Sequence, residues 1–376
     1  MISNSLSFIQ CADLHLDSCM ETHLSPLQAQ ARRHELLHTF SKLADYASDH
    51  SITAVLICGD LFESEFVSSQ SLEFVLHCIF EHDDVDFLYL PGNHDYRIDR
   101  HLEEFSPLPE NLYCLSAPID PSNPAVFQKR YGKVTISALY GLPDGLPELD
   151  PAQINLVMLH GSLTDAASSS SDGHGNFLYS RQELCGRHID YIAAGHIHSH
   201  SLFSLDSYSQ FCYSGCLEGR GFDECGEKGF VLLTVTDTDS RRQITPEFIP
   251  FAGRLLYDIS VPVCPSDSLE EIQENMQQQL CEIESRHLVR VHLTGERNPE
   301  TPLITDLLSA PYRELFFLFV LLDETVPAVT ADDYRYDISL KGEFVRQVLQ
   351  SSEALEDKNQ ILAYGLRLLA GKGELL

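Results

Sequence analysis

Five short segments carry Asp, His and Asn side chains in a pattern that suits a divalent-metal centre. They are Asp13-Leu14-His15, Gly59-Asp60, Gly92-Asn93-His94-Asp95, His160-Gly161 and Gly195-His196-Ile197-His198. In an extended backbone, residues two apart face the same side, so Asp13 and His15 can reach one ion together. A carboxylate such as Asp60 has two oxygens and can bridge two ions, and Gly59 before it lets the chain turn sharply. The donors are imidazole, carboxylate and an amide oxygen, with no cysteine. Mixed nitrogen and oxygen donors suit Mn2+, Fe2+ or Zn2+ better than a thiolate-selected ion. Taken singly each segment is weak, since an Asp-x-His pair is common by chance and a lone His at a strand end is commonly structural. All five together, in this order, are specific.

Each segment follows an apolar run of strand type. Residues 6–11, 52–58, 86–90, 154–159 and 189–194 end just before the five groups, which places all five at the C-terminal ends of strands. In α/β sheets that edge is where ligand crevices form. Amphipathic stretches of helical period at residues 26–48 and 68–80 separate the first strands and predict parallel βαβ units. Further apolar runs at residues 134–139, 210–213 and 230–235 have fewer helices between them and predict a second sheet packed on the first. The texture changes near Pro250. Strands at 255–263, 288–293 and 315–322, with helices at 269–285 and 304–308, predict a small α/β unit, and residues 343–376 read as mostly helical. The expected division is a metal-bearing domain over residues 1–250, a capping domain over 251–340 and a helical tail over 341–376. Within that tail, residues 360–369 are a candidate docking element for a partner.

Bulk properties bound the function. A 376-residue chain with 43% hydrophobic residues can bury a real core. The 11 cysteines are odd in number, scattered and without a CxxC pair, which is reduced-thiol usage rather than a disulfide framework. No apolar run approaches the roughly 18–20 residues needed to cross a bilayer, and the N-terminus has no basic region followed by an apolar stretch. The expected location is therefore the cytoplasm, without membrane. The formal charge of −31 is unfavourable for a chain that grips nucleic acid alone. Two divalent cations would add positive charge where a phosphate must sit, and a partner could bring more.

The segments CADLHLDS, CGDLF, LPGNHD, LHG and AAGHIH, with YSGCLEGRGFDECGEKGF, resemble the calcineurin-like metallophosphoesterase superfamily. More narrowly they are similar to its DNA-repair exonuclease branch, of the SbcD and YhaO type. The resemblance covers residues 1–250 and implies a four-layer αββα sandwich, followed by a smaller C-terminal α/β capping domain. Residue by residue, it implies that Asp13, His15 and His198 hold a first metal and that Asn93, His160 and His196 hold a second. Asp60 bridges them, and the ions are two divalent cations, Mn2+ foremost, with Fe2+ or Zn2+ as alternatives. His94 is then no ligand but the group that protonates the leaving oxygen. In the repair nucleases the position three after the bridging aspartate is a histidine, whereas here it is Glu63. Related phosphatases place an aspartate there that hydrogen-bonds the catalytic histidine, so Glu63 is expected to orient His94 and raise its basicity.

The function implied is a two-metal DNA exonuclease or endonuclease in DNA repair, working with an SMC-like ATPase subunit, and relatives often form homodimers. The alternative is a phosphatase or phosphodiesterase for nucleotides or other small phosphoesters, which Glu63 and the acidic charge favour. A third possibility, a non-catalytic subunit, would be marked by lost ligands, and none is lost. Arg97 and Arg220 are candidates for phosphate contact or for ordinary ion pairs. His200 is expected to be exposed, and His174 is assigned nothing. Residues 164–176 read as a mobile polar loop and residues 81–86 as a solvated turn.

Overall fold

The computed structural model describes residues 5–20, 23–63, 67–95, 98–105, 107–114, 125–143, 146, 148–172, 175–238, 241–298, 303–328 and 336–369. The chain divides into two compact units, Met1–Leu255 and Leu256–Leu376. Arg97 and His174 lie outside the described residues.

The first unit is built on two six-stranded sheets. One has the order β15-β14-β1-β2-β3-β4, made of β1 (Ser5–Cys11), β2 (Ala54–Cys58), β3 (Asp86–Leu90), β4 (Leu112–Cys114), β14 (Gly229–Thr238) and β15 (Arg241–Pro250). Its strands β1 to β4 run parallel, and β14 and β15 close one edge antiparallel. The other has the order β12-β13-β11-β7-β6-β5. It comprises β5 (Ala125–Tyr131), β6 (Val134–Tyr140), β7 (Ile154–His160), β11 (Tyr191–Gly195), β12 (Ser201–Ser204) and β13 (Gln210–Tyr213). Strands β2, β6 and β7 are buried along their whole length, as strands in the middle of a covered sheet should be, although β6 and β7 also bury Thr135, Ser137 and Asn155.

Side-chain alternation decides which face meets which layer. From β2, Val55 and Ile57 join Ile9, Cys11, Phe87 and Tyr89 in a core shared with Leu36, Phe40 and Leu43 of α1 (Pro26–Asp49) and Leu72 and Val75 of α2 (Ser69–Glu81). From the opposite face, Ala54, Leu56 and Cys58 join Phe8, Leu88 and Leu90 in a core with Ile136, Leu156, Met158 and Ala193 of the second sheet. Helix α1 starts where Ser25 and Gln28 form a capping box ahead of Pro26, and it buries a stripe that includes Ala29, Leu36, Phe40 and Leu43. Gln10 is a buried polar group between the sheets. Its amide donates to Ala194 O at 3.2 Å and to Cys212 O at 2.9 Å, and it accepts from Tyr191 Oη at 2.7 Å. These bonds tie the end of β1 to the end of β11, where two of the five groups begin.

A third, small sheet of order β8-β10-β9 and the short helix α4 (Arg181–Leu184) flank the second large sheet, completing the αββα sandwich. Its strands are β8 (Ser162–Thr164), β9 (Ser170–Ser171) and β10 (Phe177–Ser180), and Tyr179 and Leu184 enter the same core. Residues 164–176, expected to be a loop, contain β9, which pairs with β10 just after them. Helix α3 (Asp99–Leu102) follows β3.

The second unit has a parallel sheet of β16 (Leu256–Val263), β17 (Leu288–Arg297) and β18 (Leu318–Asp323), with β19 (Val326–Pro327) paired to β17. Helices α5 (Leu269–Leu280) and α6 (Thr305–Arg313) pack on it through Ile272, Met276, Leu308 and Tyr312. Helix α5 stops five residues short of the expected 285, and α6 runs on past the expected 308 through Pro311. Helices α7 (Leu340–Gln350) and α8 (Leu355–Leu369) pair through Val345, Val348, Leu362 and Leu366. Among the described residues no helix is long and apolar enough to cross a membrane, and no disulfide links the cysteines.

Candidate metal centre

The five groups converge at the ends of β1, β2, β3, β7 and β11, but the first does so differently from expectation. Strand β1 ends at Cys11, and Asp13 and His15 lie beyond it at φ of 55° and 45°. Their N–H groups donate to Gly59 O at 3.1 Å and Asp60 O at 3.0 Å. The pair shares a site because it is laced to the β2 turn, not because a strand alternates. Asp60 and His196 are also left-handed, at φ of 51° and 97°. Such non-glycine positions cost on the order of 1–3 kcal/mol each and persist where the surroundings over-determine them. Gly59 has no such penalty at φ of 92°, and a Cβ there would lie 2.0 Å from His160 Nδ1.

Asp13, His15 and His198 present donor atoms within 4.8 Å of one another, and so do Asp13, Asp60 and His160. His15 Nε2 and His198 Nε2 are 3.3 Å apart. Opposite them, Asn93 Oδ1 is 3.0 Å from His160 Nε2 and 3.1 Å from His196 Nδ1. Asp60 Oδ2 lies between, 3.7 Å from His15 Nε2 and 3.3 Å from His160 Nε2. The backbone N–H of His196 donates to both oxygens of Asp13 at 3.0 Å, and that of His94 donates to Asp60 Oδ1 at 2.9 Å.

The outer nitrogens test whether cations fit. Nδ1 of His15 faces Glu63 Oε2 at 3.2 Å, that of His198 faces Glu224 Oε1 at 2.6 Å, and that of His160 faces Cys58 O at 2.8 Å. These three oxygens only accept, which puts the proton on Nδ1 and directs Nε2 inward; Arg220 Nη2, a donor, also lies 3.2 Å from His198 Nδ1, but the Glu224 oxygen is nearer at 2.6 Å and decides that tautomer. Nitrogens that converge with two buried carboxylates and an amide oxygen make a place for positive charge. Burial lowers His15 and His196 to about 4, so both are neutral donors. Burial raises Asp13 to about 6, with Asp60 adding to the rise and His160 opposing it. Burial pulls His160 down, but Asp60 outweighs it and pushes it up to about 10, so without a cation its Nε2 carries a proton toward Asp60, and a divalent cation would displace that proton to use the lone pair. The donor set therefore fits two divalent cations.

His94 stands apart. It lies close enough to His15 and Asp60 to count geometrically as a donor, but its Nδ1 is 2.7 Å from Glu63 Oε1 and its side chain is 44% exposed. The Glu63 hydrogen bond raises its pKa, against the opposing effect of burial. One carboxylate thus holds two imidazoles, His94 through Oε1 and His15 through Oε2.

All nine residues expected from the sequence lie in this cluster. His200 is exposed, as expected, and stacks on Phe248 with centroids 4.6 Å apart. Arg220 takes the ion-pair role, donating to Glu224 Oε1 at 2.7 Å. Asp95, Glu224 and Lys228 fall within the LPGNHD and YSGCLEGRGFDECGEKGF segments but carry no role in the sequence reading. Buried Asp95 accepts from Leu61 N at 2.7 Å, Gly92 N at 2.6 Å and the Tyr89 hydroxyl, which locks the Asp60 turn to the Asn93 turn. For Glu224 and Lys228 the available sign was the density of charge among glycines in residues 213–230.

The profile of the calcineurin-like phosphoesterase family matches residues 6–200, and the chain belongs to that family. A curated relative, the uncharacterized metallophosphoesterase YhaO of Bacillus subtilis (strain 168), is 29% identical over 259 residues. That match spans 62% of this chain and 58% of the relative, so the chain covers less than two thirds of the relative's length. A dimetal phosphatase from Danio rerio aligns at a TM-score of 0.37 and 11% identity, over 64% of this chain and 98% of its own.

Proposed function

We propose that this chain hydrolyses phosphodiester bonds in DNA at a two-metal centre, as the nuclease subunit of an assembly with an SMC-like ATPase. The observation that carries the hydrolytic part is the convergence of three inward Nε2 atoms, of His15, His160 and His198, on Asp13 and Asp60. Asp13, His15 and His198 would hold one cation and Asn93, His160 and His196 the other, with Asp60 able to serve both. When bound, the cations neutralise phosphate oxygens and lower the pKa of water to supply a hydroxide nucleophile.

The chain's own residues supply the rest. Glu63 keeps the proton of His94 on Nδ1 and raises the pKa of the ring, so the imidazolium form, which carries a second proton on Nε2, persists nearer neutral pH. That Nε2 proton passes to the departing oxygen. The exposure of His94 suits a leaving group that belongs to a long chain. The acidic charge of −31 fits a subunit that borrows DNA affinity from a partner.

Glu63, standing where the repair nucleases carry a histidine, favours a second substrate class, small phosphoesters. The test is hydrolysis with Mn2+ supplied, using labelled single- and double-stranded DNA in one arm and bis-p-nitrophenyl phosphate in the other, with His94→Ala throughout. Cleavage of DNA that vanishes in the variant supports the nuclease. Cleavage of the small diester alone, unchanged by adding an ATPase partner, supports the second class instead.

A further inference from the structure

His198 is gripped by a segment that donates nothing to the metal positions itself. Residues 216–228 contain three buried charged side chains, Glu218, Glu224 and Lys228, each no more than 4% exposed. Burying a charge is costly unless it is paired and hydrogen-bonded, so each needs a reason to be there. Lys228 Nζ donates to His198 O at 3.0 Å, and the Cys216 N–H donates to the same carbonyl at 3.3 Å. Glu224 Oε1 accepts from His198 Nδ1 at 2.6 Å. The Arg220 backbone N–H donates to Glu224 Oε2 at 2.7 Å, and its guanidinium Nη2 donates to Oε1 at 2.7 Å. Farther along, Glu218 accepts from Thr39 Oγ1 at 2.9 Å, Gly253 N at 2.7 Å and Arg32 Nη2 at 3.3 Å. The segment is therefore anchored on α1 through Glu218 and closed on His198, both backbone and ring, by Lys228 and Glu224.

We propose that residues 216–228 form a clasp for His198, in which Glu224, steadied by Arg220, is the positioning residue that fixes the Nδ1–H tautomer and aims Nε2 at the metal position beside Asp13 and His15. The clasp rests on the two-metal function proposed above and adds an asymmetry to it. The second position does not use it, because His160 is oriented by Cys58 O and His196 faces Asn93. Affinity at the first position depends on Glu224, and affinity at the second does not.

The experiment compares metal-free wild type and E224Q, each titrated with Mn2+ by calorimetry and by electron paramagnetic resonance. Glutamine keeps the size but offers one neutral oxygen and turns an amide donor toward Arg220 or His198. The expected result is two equivalents and a coupled pair signal in the wild type. In E224Q the first position should weaken by roughly 10–100-fold, the second should hold, and isolated Mn2+ should replace the coupled pair. E224D, which keeps the charge, should recover part of the loss. Two unchanged affinities in E224Q, or equal weakening at both positions, would overturn the clasp. A wild type that binds no pair of ions would instead overturn the two-metal function itself. Should E224Q fail to fold, R220Q leaves Glu224 in place on the backbone N–H of residue 220 but without the guanidinium, and it carries the same expectation at smaller size.

Discussion

Glu63 Oε1 lies 2.7 Å from His94 Nδ1, while the other oxygen of the same carboxylate lies 3.2 Å from His15 Nδ1. A single side chain thus orients the candidate acid and one candidate metal donor. Glu63→Gln keeps an acceptor for one ring and turns an amide donor toward the other. The turnover number should fall by roughly 10–100-fold, with two equivalents of Mn2+ still bound at saturation. Turnover equal to wild type would show that Glu63 is a bystander.

Gly59 permits an approach matched in the site by Gly195, where a Cβ would meet Cys58 O at 2.0 Å. A Cβ at Gly59 would fall on the His160 ring, 2.0 Å from Nδ1, at a φ of 92° that side chains resist. Gly59→Ala should lower the unfolding free energy by at least about 2 kcal/mol and weaken binding of one Mn2+. Urea unfolding with a parallel metal titration checks both. A stable variant with full metal content would mean that the turn relaxes freely.

Arg32 is the largest fully buried side chain, 1% exposed, and it joins Glu35, Glu218 and Gly219 O. Arg32→Met leaves Glu218 buried without its cation. Breaking a buried pair from one side costs about 3–5 kcal/mol, so the denaturation midpoint should drop sharply. Arg32→Met with Glu218→Gln should recover much of that loss, because the uncompensated charge is gone. A double variant no more stable than the single one would place the cost in packing instead.

Cations that bind the folded chain alone must stabilise it. At 100 times its dissociation constant each bound ion adds about 2.7 kcal/mol. Treatment with a chelator should lower the melting temperature, and Mn2+ should restore it in a concentration-dependent way. Asp13→Asn with His198→Ala should blunt that response. A melting temperature indifferent to chelator and metal would count against the site.

Much of this was legible in the sequence for a physical reason. Strands β2, β3 and β7 are mainly apolar, interrupted only by Asp86 at the start of β3 and Asn155 in β7, and the chemistry-bearing residues stand at or just past their ends, so period and punctuation sufficed. Strand β15 was not legible. Its residues 241–250 are polar, with prolines at 246 and 250, and an edge strand tolerates what an interior one cannot. Asp13 and His15 were placed correctly but for the wrong reason, since their left-handed backbone depends on bonds to Gly59 and Asp60 that no local pattern reveals. Glu224 was invisible because its partner His198 is 26 residues away and its burial is a property of the fold.

The role proposed for His94 is that of an acid beside a pair of cations, bound to neither. The most direct measurement prepares metal-free wild type and His94→Ala, titrates each with Mn2+, and follows bis-p-nitrophenyl phosphate hydrolysis alongside the number of ions bound. Wild-type activity should rise until two equivalents are bound, and His94→Ala should bind the same two with turnover lower by roughly 10²–10⁴-fold. Loss of an equivalent in His94→Ala would make His94 a ligand, and full turnover in the metal-free wild type would overturn the two-metal reaction.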